Sequence, residues 1–176
     1  MSPNSPTEGP AQIFTVGYGN RTPEQLFDLI KARGCGYLVD VRSVPYSSYH
    51  KDFNRESLER CCDDFGLKYL YLGDQVGGKP DPEDLDELDR ADYKLMAQKP
   101  RFLEGVERLE TAQKKGISLA LMCAELRPET CHRTKLIGEV LRNRGVELVH
   151  IDEDAKLLSQ SEVLKRLDNG QEDLFG

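Results

Sequence analysis

Five short apolar runs, Ile13 to Val16, Tyr37 to Val41, Lys68 to Leu72, Ile117 to Met122 and Val146 to Ile151, alternate with segments of helical period. Strands separated by a helix cannot close as tight hairpins; the connecting helix has to cross a face of the sheet, which leaves neighbouring strands parallel. The alternation predicts an α/β three-layer sandwich, with a mainly parallel central sheet of about five strands and helices on both faces. The first unit shows the pattern most clearly. Gly17-Tyr18-Gly19 breaks the first strand, and Thr22-Pro23-Glu24-Gln25 supplies an N-cap, a first-turn proline and a capping-box glutamine. Leu26, Phe27, Leu29 and Ile30 then form one apolar face, and Gly34 ends the helix. Leu58, Cys61, Cys62 and Phe65 repeat the theme before Gly66. Further helices are expected at Tyr93 to Met96, Phe102 to Gln113 and about Glu129 to Arg144.

The 176 residues suit one domain. Residues 1–12, rich in Pro and Ser, read as a disordered arm; residues 13–155 form the α/β domain; residues 156–176 are a C-terminal helix and flexible tail. Gly73 to Ala91 is a long connection without a clear period, and it reads as a lid or mobile loop. Seven of its neighbouring acids fall between Asp81 and Asp92, with Arg90 the one base among them. A formal charge of −7 opposes non-specific coating of a nucleic-acid backbone, so any such contact has to be local. The five cysteines are an odd number, and no leader or membrane-spanning run is seen, which predicts a cytoplasmic, reduced protein. Cys35, Cys61 and Cys62 read as packing residues.

There is no P-loop, no paired C-x-x-C, and no complete G-x-G-x-x-G, because Thr22 occupies the third glycine position. If the strands are parallel, Gly17 to Arg21, Asp40 to Tyr49 and Cys123 to Arg133 meet at their carboxyl ends, where open α/β sheets bind ligands. That edge would hold Arg21, Asp40, Arg42, Tyr46, Arg127 and Arg133 as candidate substrate-binding residues, and Cys123, Glu125, Cys131 and His132 as candidate catalytic ones. Cys123 ends a buried strand facing a helix start, which suits a nucleophile as well as an inert buried thiol. Arg133 phases with Leu136, Ile137, Val140 and Leu141 on the inner face of the last long helix. There it would hold a phosphate or carboxylate, or pair structurally with Asp40 or Glu125. Tyr46 or Tyr49 would stack on a base with Arg42 or Lys51 at a phosphate, or cover the core edge. Cys123, Cys131, His132 and His150 are conceivable soft-metal ligands, although the spacing matches no familiar motif and the adjacent arginines oppose a cation. No cofactor is assigned.

The C-terminal residues Gln171, Asp173, Leu174 and Phe175 match a short peptide by which bacterial replication and repair proteins dock on the DNA sliding clamp. Two apolar side chains at the end of a polar tail also call for a groove to fill. The alternative is a chance pentapeptide packing on its own domain.

Taken together, T-V-G-Y-G-N-R at Thr15 to Arg21, D-V-R-S-V-P-Y-S at Asp40 to Ser47, the Leu72 to Gly78 glycine segment, L-M-C-A-E at Leu121 to Glu125, C-H-R at Cys131 to Arg133 and H-I at His150 to Ile151 resemble the DUF488 family over about residues 13–152. The family's function is undefined, so the resemblance implies a compact α/β fold and a shared site but no reaction. It marks Arg21, Asp40, Arg42, Pro45, Cys123, Glu125, Cys131, His132 and Arg133 as motif residues. Three readings follow. The first is an anion-binding Cys/Arg pocket acting on a nucleotide or nucleic-acid-related ligand in DNA maintenance. The second is a non-catalytic module recruited to the clamp, and the third is a Cys/His metal protein.

Overall fold

The computed structural model describes residues 10–80 and 92–175, with side chains described through residue 168. Among them a six-stranded sheet runs in the order β3-β2-β4-β1-β5-β6. The strands are β1 (Ile13–Gly17), β2 (Tyr37–Asp40), β3 (Lys68–Tyr71), β4 (Leu119–Cys123), β5 (Val149–Ile151) and β6 (Leu157–Ser159). The first five are mutually parallel, as the alternation predicts. The sixth pairs antiparallel with β5 at the sheet edge and lies in a stretch expected to be helical; a turn at Asp152 to Lys156, with Ala155 at φ 62°, reverses the chain too sharply for a helix to begin.

Side chains alternate across this sheet. Phe14, Val16, Leu38, Ala120 and Met122 face α1 (Pro23–Lys31) and α2 (Arg55–Asp64), where Leu26, Phe27, Ile30, Leu58 and Cys62 complete one core. Ile13, Val39, Leu119, Leu121 and Cys123 face the other way. That second core takes in α3 (Gly73–Val76), α4 (Tyr93–Met96), α5 (Pro100–Lys114) and α6 (Glu139–Asn143). The Thr22 capping box forms as read, with Oγ1 accepting from the Gln25 N–H at 3.2 Å and the Gln25 side chain returning to the Thr22 N–H at 2.9 Å.

Two loops differ from expectation. The connection after β3 begins with α3 rather than a structureless lid, and Gly78 to Pro80 are held against the domain by the Lys79 N–H to Ser43 Oγ bond of 2.9 Å. Residues 81–91 of the expected lid lie outside the described residues. The Glu129 to Arg144 helix is a 3-10 turn at Pro128–Thr130, a π-helical turn at Arg133–Gly138 and then α6. The wider π turn buries Arg133, Thr134, Leu136, Ile137 and Gly138, more of the circumference than regular helical phasing allows.

At the N-terminus, residues 1–9 of the expected arm are outside the described residues, whereas Ala11 is buried and donates its N–H to Gln113 O at 3.2 Å. The last helix, α7 (Gln160–Phe175), carries the tail. Its backbone is helical where the clamp-like peptide was expected to be flexible, and the side chains of Gln171, Asp173, Leu174 and Phe175 lie outside those described. Among the described residues no helix is long and apolar enough to cross a membrane.

Candidate active site at the carboxyl edge of the sheet

Strand register brings the expected segments together. Gly17 pairs with Cys123 and Asp40 with Met122, so β1, β2 and β4 end at one level. Gly17 is required there by close approach: a Cβ at this position would overlap the carbonyl of Glu125.

From the end of β2, Arg42 folds back on Asp40. Its Nε donates to Asp40 Oδ1 at 2.9 Å, and its Nη2 donates to Oδ2 at 2.8 Å and to Phe53 O at 2.7 Å. Tyr69 donates its hydroxyl to the same carboxylate at 2.6 Å. Burial works against the guanidinium charge, and Asp40, with Tyr18 adding to it, more than offsets this, so the Arg42 pKa is raised. The guanidinium carbon lies 5.5 Å from the Tyr18 ring centroid, and Nη1 is buried without a hydrogen-bond partner among the described residues.

From the end of β4, Cys123 meets Cys131, their sulfurs 2.7 Å apart. Both are almost fully buried, and both are free thiols. Burial is the main cause that pushes the Cys131 pKa well above the usual thiol range, with the Cys123 contact adding to it. His132 donates Nε2–H to Val41 O at 2.9 Å, which leaves Nδ1 as an acceptor 3.5 Å from Cys131 Sγ. Burial lowers the His132 pKa and keeps the ring neutral at pH 7.

A cleft of about 400 Å³ opens over this edge, with Arg42, Tyr46, Lys79, Cys123, Glu125 and His132 among its walls. Larger hollows of about 540, 580 and 610 Å³ lie elsewhere, and none contains Cys123, Cys131 or His132. The chemistry therefore points to the smaller one. Tyr46 is at its rim, 53% exposed, and its hydroxyl donates to Glu56 at 3.0 Å. Asp40 and Cys131 stand behind the lining, holding Arg42 and Cys123.

Three expected residues sit elsewhere. Arg133 is fully buried and does not line the cleft; its Nη2 donates to the carbonyls of Glu125 and Leu126 at 3.2 Å each, while Nε and Nη1 have no partner among the described residues. It pairs with neither Asp40 nor Glu125 as a carboxylate. Arg21 donates to Gly17 O and Asp152 O, each at 2.7 Å, beside a different hollow, and Arg127 is exposed. His150 is also remote from the thiols. Its ring is held by Gln160 and Thr15, so the four-residue Cys/His metal set does not assemble; at the thiols the ligand atoms that group are those of Cys123, Glu125 and Cys131, within 4.8 Å of one another, and a separate acidic group is formed by Asp152, Glu153 and Asp154.

Sequence reasoning missed Tyr18, Ser43, Lys79 and Tyr93, which also line the cleft. Gly78 was the available signal, since a Cβ there would stand 2.8 Å from the His132 ring, a close approach that only a missing side chain permits.

The sheet and its edge define an α/β protein with a thiol and arginine cleft at the carboxyl ends of parallel strands. The chain belongs to the family described as domain of unknown function DUF488, whose model matches residues 22–141 and so spans β2 to β4 and every cleft residue named above except Tyr18. No curated protein and no solved structure matches the chain.

Proposed function

We propose that the cleft binds an anionic ligand of the nucleotide or nucleic-acid class and presents it to the Cys123 thiol. One observation carries this reading: Arg42, 6% exposed, lines the cleft with a buried Nη1 that has no hydrogen-bond partner among the described residues, although the Tyr18 side chain beside the guanidinium helps to hold its charge. A buried donor on a guanidinium is costly to leave unpaired, and a phosphate oxygen supplies the missing acceptor. Lys79 adds a cationic donor on the same wall, and the exposed Tyr46 ring offers a stacking surface at the rim. Because the chain carries a net −7, attraction of a polyanion has to be confined to such a place. The clamp-like peptide ending at Phe175 supports DNA maintenance as the setting; a non-catalytic module would use the same cleft for recognition alone.

Calorimetric titration with inorganic phosphate, adenosine monophosphate and a short single-stranded oligonucleotide tests the reading. Arg42→Lys and the fold-neutral Lys79→Ala are each expected to weaken binding by about tenfold or more, the worth of a charge-assisted hydrogen bond. Absence of binding by the unaltered chain at millimolar ligand, or equal binding by both variants, contradicts it.

Metal binding is favoured by a separate observation, the Cys123, Glu125 and Cys131 ligand group. Elemental analysis of gently purified protein decides it, since a tight site retains about one metal per chain.

A further inference from the structure

Cys123 and Cys131 are placed as partners in a reaction of their own. Their sulfurs stand 2.7 Å apart, well inside the separation of two non-bonded sulfurs, and a disulfide needs a closure to about 2.0 Å. They also occupy different positions relative to the cleft: Cys123 is on its wall, whereas Cys131 is behind it, beside the acceptor Nδ1 of His132. The tautomer that makes Nδ1 an acceptor is fixed by the Nε2–H bond to Val41 O. The remaining thiols do not compete. Cys35, Cys61 and Cys62 pack with the core on the opposite face of the sheet from Cys123 and Cys131.

We propose that Cys123 and Cys131 form a two-electron thiol–disulfide couple, with Cys123 meeting a low-molecular-weight disulfide in the cleft and Cys131 resolving the adduct. In the first step the Cys123 thiolate attacks one sulfur of the small disulfide. The S–S bond of the small molecule breaks, one small thiolate leaves, and it takes up the proton that Cys123 gave to solvent. In the second step Cys131 passes its proton to His132 Nδ1 and attacks the Cys123 sulfur. The mixed disulfide breaks, the second small thiolate leaves, and it receives that proton. Two protein thiols are oxidised to one disulfide, and one small disulfide is reduced to two small thiols. The order of attack follows from the lining of the cleft, to which Cys123 contributes and Cys131 does not, both sulfurs being almost fully buried. A disulfide of this kind in a reducing setting is transient or catalytic rather than structural.

The inference shares Cys123 with the anion-binding reading but needs neither Arg42 nor a phosphate-bearing ligand, so it is tested in their absence. The full chain, reduced and freed of reductant, is equilibrated in glutathione redox buffers without phosphate or nucleotide and alkylated, and its mass is measured. Alkylatable thiols are expected to fall from five to about three in one reversible step, with a peptide cross-link joining residues 123 and 131. Cys131→Ser is expected to retain glutathione on Cys123, and Cys123→Ser to carry neither an adduct nor a bridge. Five alkylatable thiols at every redox poise, a bridge between other cysteines, or failure of the folded Cys131→Ser variant to hold glutathione at Cys123 would each overturn the proposal. So would a metal whose removal by chelator leaves two thiols that still do not oxidise.

Discussion

The guanidinium of Arg42 holds the carboxylate of Asp40 side-on, two residues back along the same strand exit, through parallel contacts of 2.9 and 2.8 Å. Asp40 is fully buried, so this pair sets the position of the cleft's one buried cationic wall. Removing one partner strands the other. Asp40→Asn is expected to lower unfolding stability by about 3–5 kcal/mol, because a buried charge loses its counter-charge. Urea denaturation measures it; a loss below about 1 kcal/mol would show that Arg42 does not depend on Asp40 for its place.

His150 gives the fold an acid sensitivity with a definite sign. Gln160 Oε1 accepts from Nε2–H at 2.6 Å, which leaves Nδ1 to accept from the Thr15 hydroxyl, also at 2.6 Å. Burial is the main reason the imidazole pKa falls from 6.5 to about 4. The unfolded chain protonates this ring near pH 6.5 and the folded chain near pH 4, so in that window the unfolded state binds more protons. Stability is present above pH 6.5 and is lost as pH falls toward 4, at up to about 1.4 kcal/mol per pH unit. Urea unfolding of His150→Gln across this range should show a dependence shallower by about one proton than that of the unaltered chain. Identical slopes would mean that the ring titrates alike in both states.

Gly78 lets the chain approach the His132 ring closely. A methyl group there would stand 2.8 Å from Cγ and 3.0 Å from Nδ1. Gly78→Ala is expected to cost about 1–3 kcal/mol, the usual range for overpacking, and to move the ring off Val41 O. Thermal unfolding and the histidine ring-proton NMR signals report the two effects separately.

The C-terminal peptide is expected to act apart from the cleft. Deleting residues 171–176 should abolish binding to a bacterial sliding clamp while leaving thermal stability and ligand titration unchanged. Equal clamp binding by the truncated chain contradicts the role of Leu174 and Phe175.

The parallel sheet and the meeting of three segments at its edge were legible because both follow from local signals: short continuous apolar runs for strands buried on both faces, the Thr22 to Gln25 capping box and the glycine that follows the first strand. What escaped was set by tertiary geometry. Helical phasing placed Arg133 on the inner face with Leu136, Ile137 and Leu141, where it lies; what phasing could not give is that its guanidinium turns to the Glu125 and Leu126 carbonyls and not to the cleft. No sequence signal separates the π turn at Arg133–Gly138 from a regular helix, because its apolar residues are spaced alike. The sixth strand escaped for a similar reason: Leu157 to Ser159 is three residues long and gains its identity from pairing with β5. Proximity of Cys123 to Cys131 could not be read either, since it depends on how the 3-10 turn at Pro128–Thr130 folds the chain back.

The most direct measurement of the central claim is the rate at which iodoacetamide alkylates Cys123 in the reduced chain, followed by peptide mass with and without adenosine monophosphate. A ligand held by Arg42 across the cleft covers this sulfur. The rate is expected to fall roughly tenfold at ligand ten times Kd, and to recover to about half or more of the ligand-free rate in Arg42→Lys at the same concentration. An unchanged alkylation rate with ligand demonstrably bound would contradict the account, because the anion would then be sitting somewhere other than over Cys123.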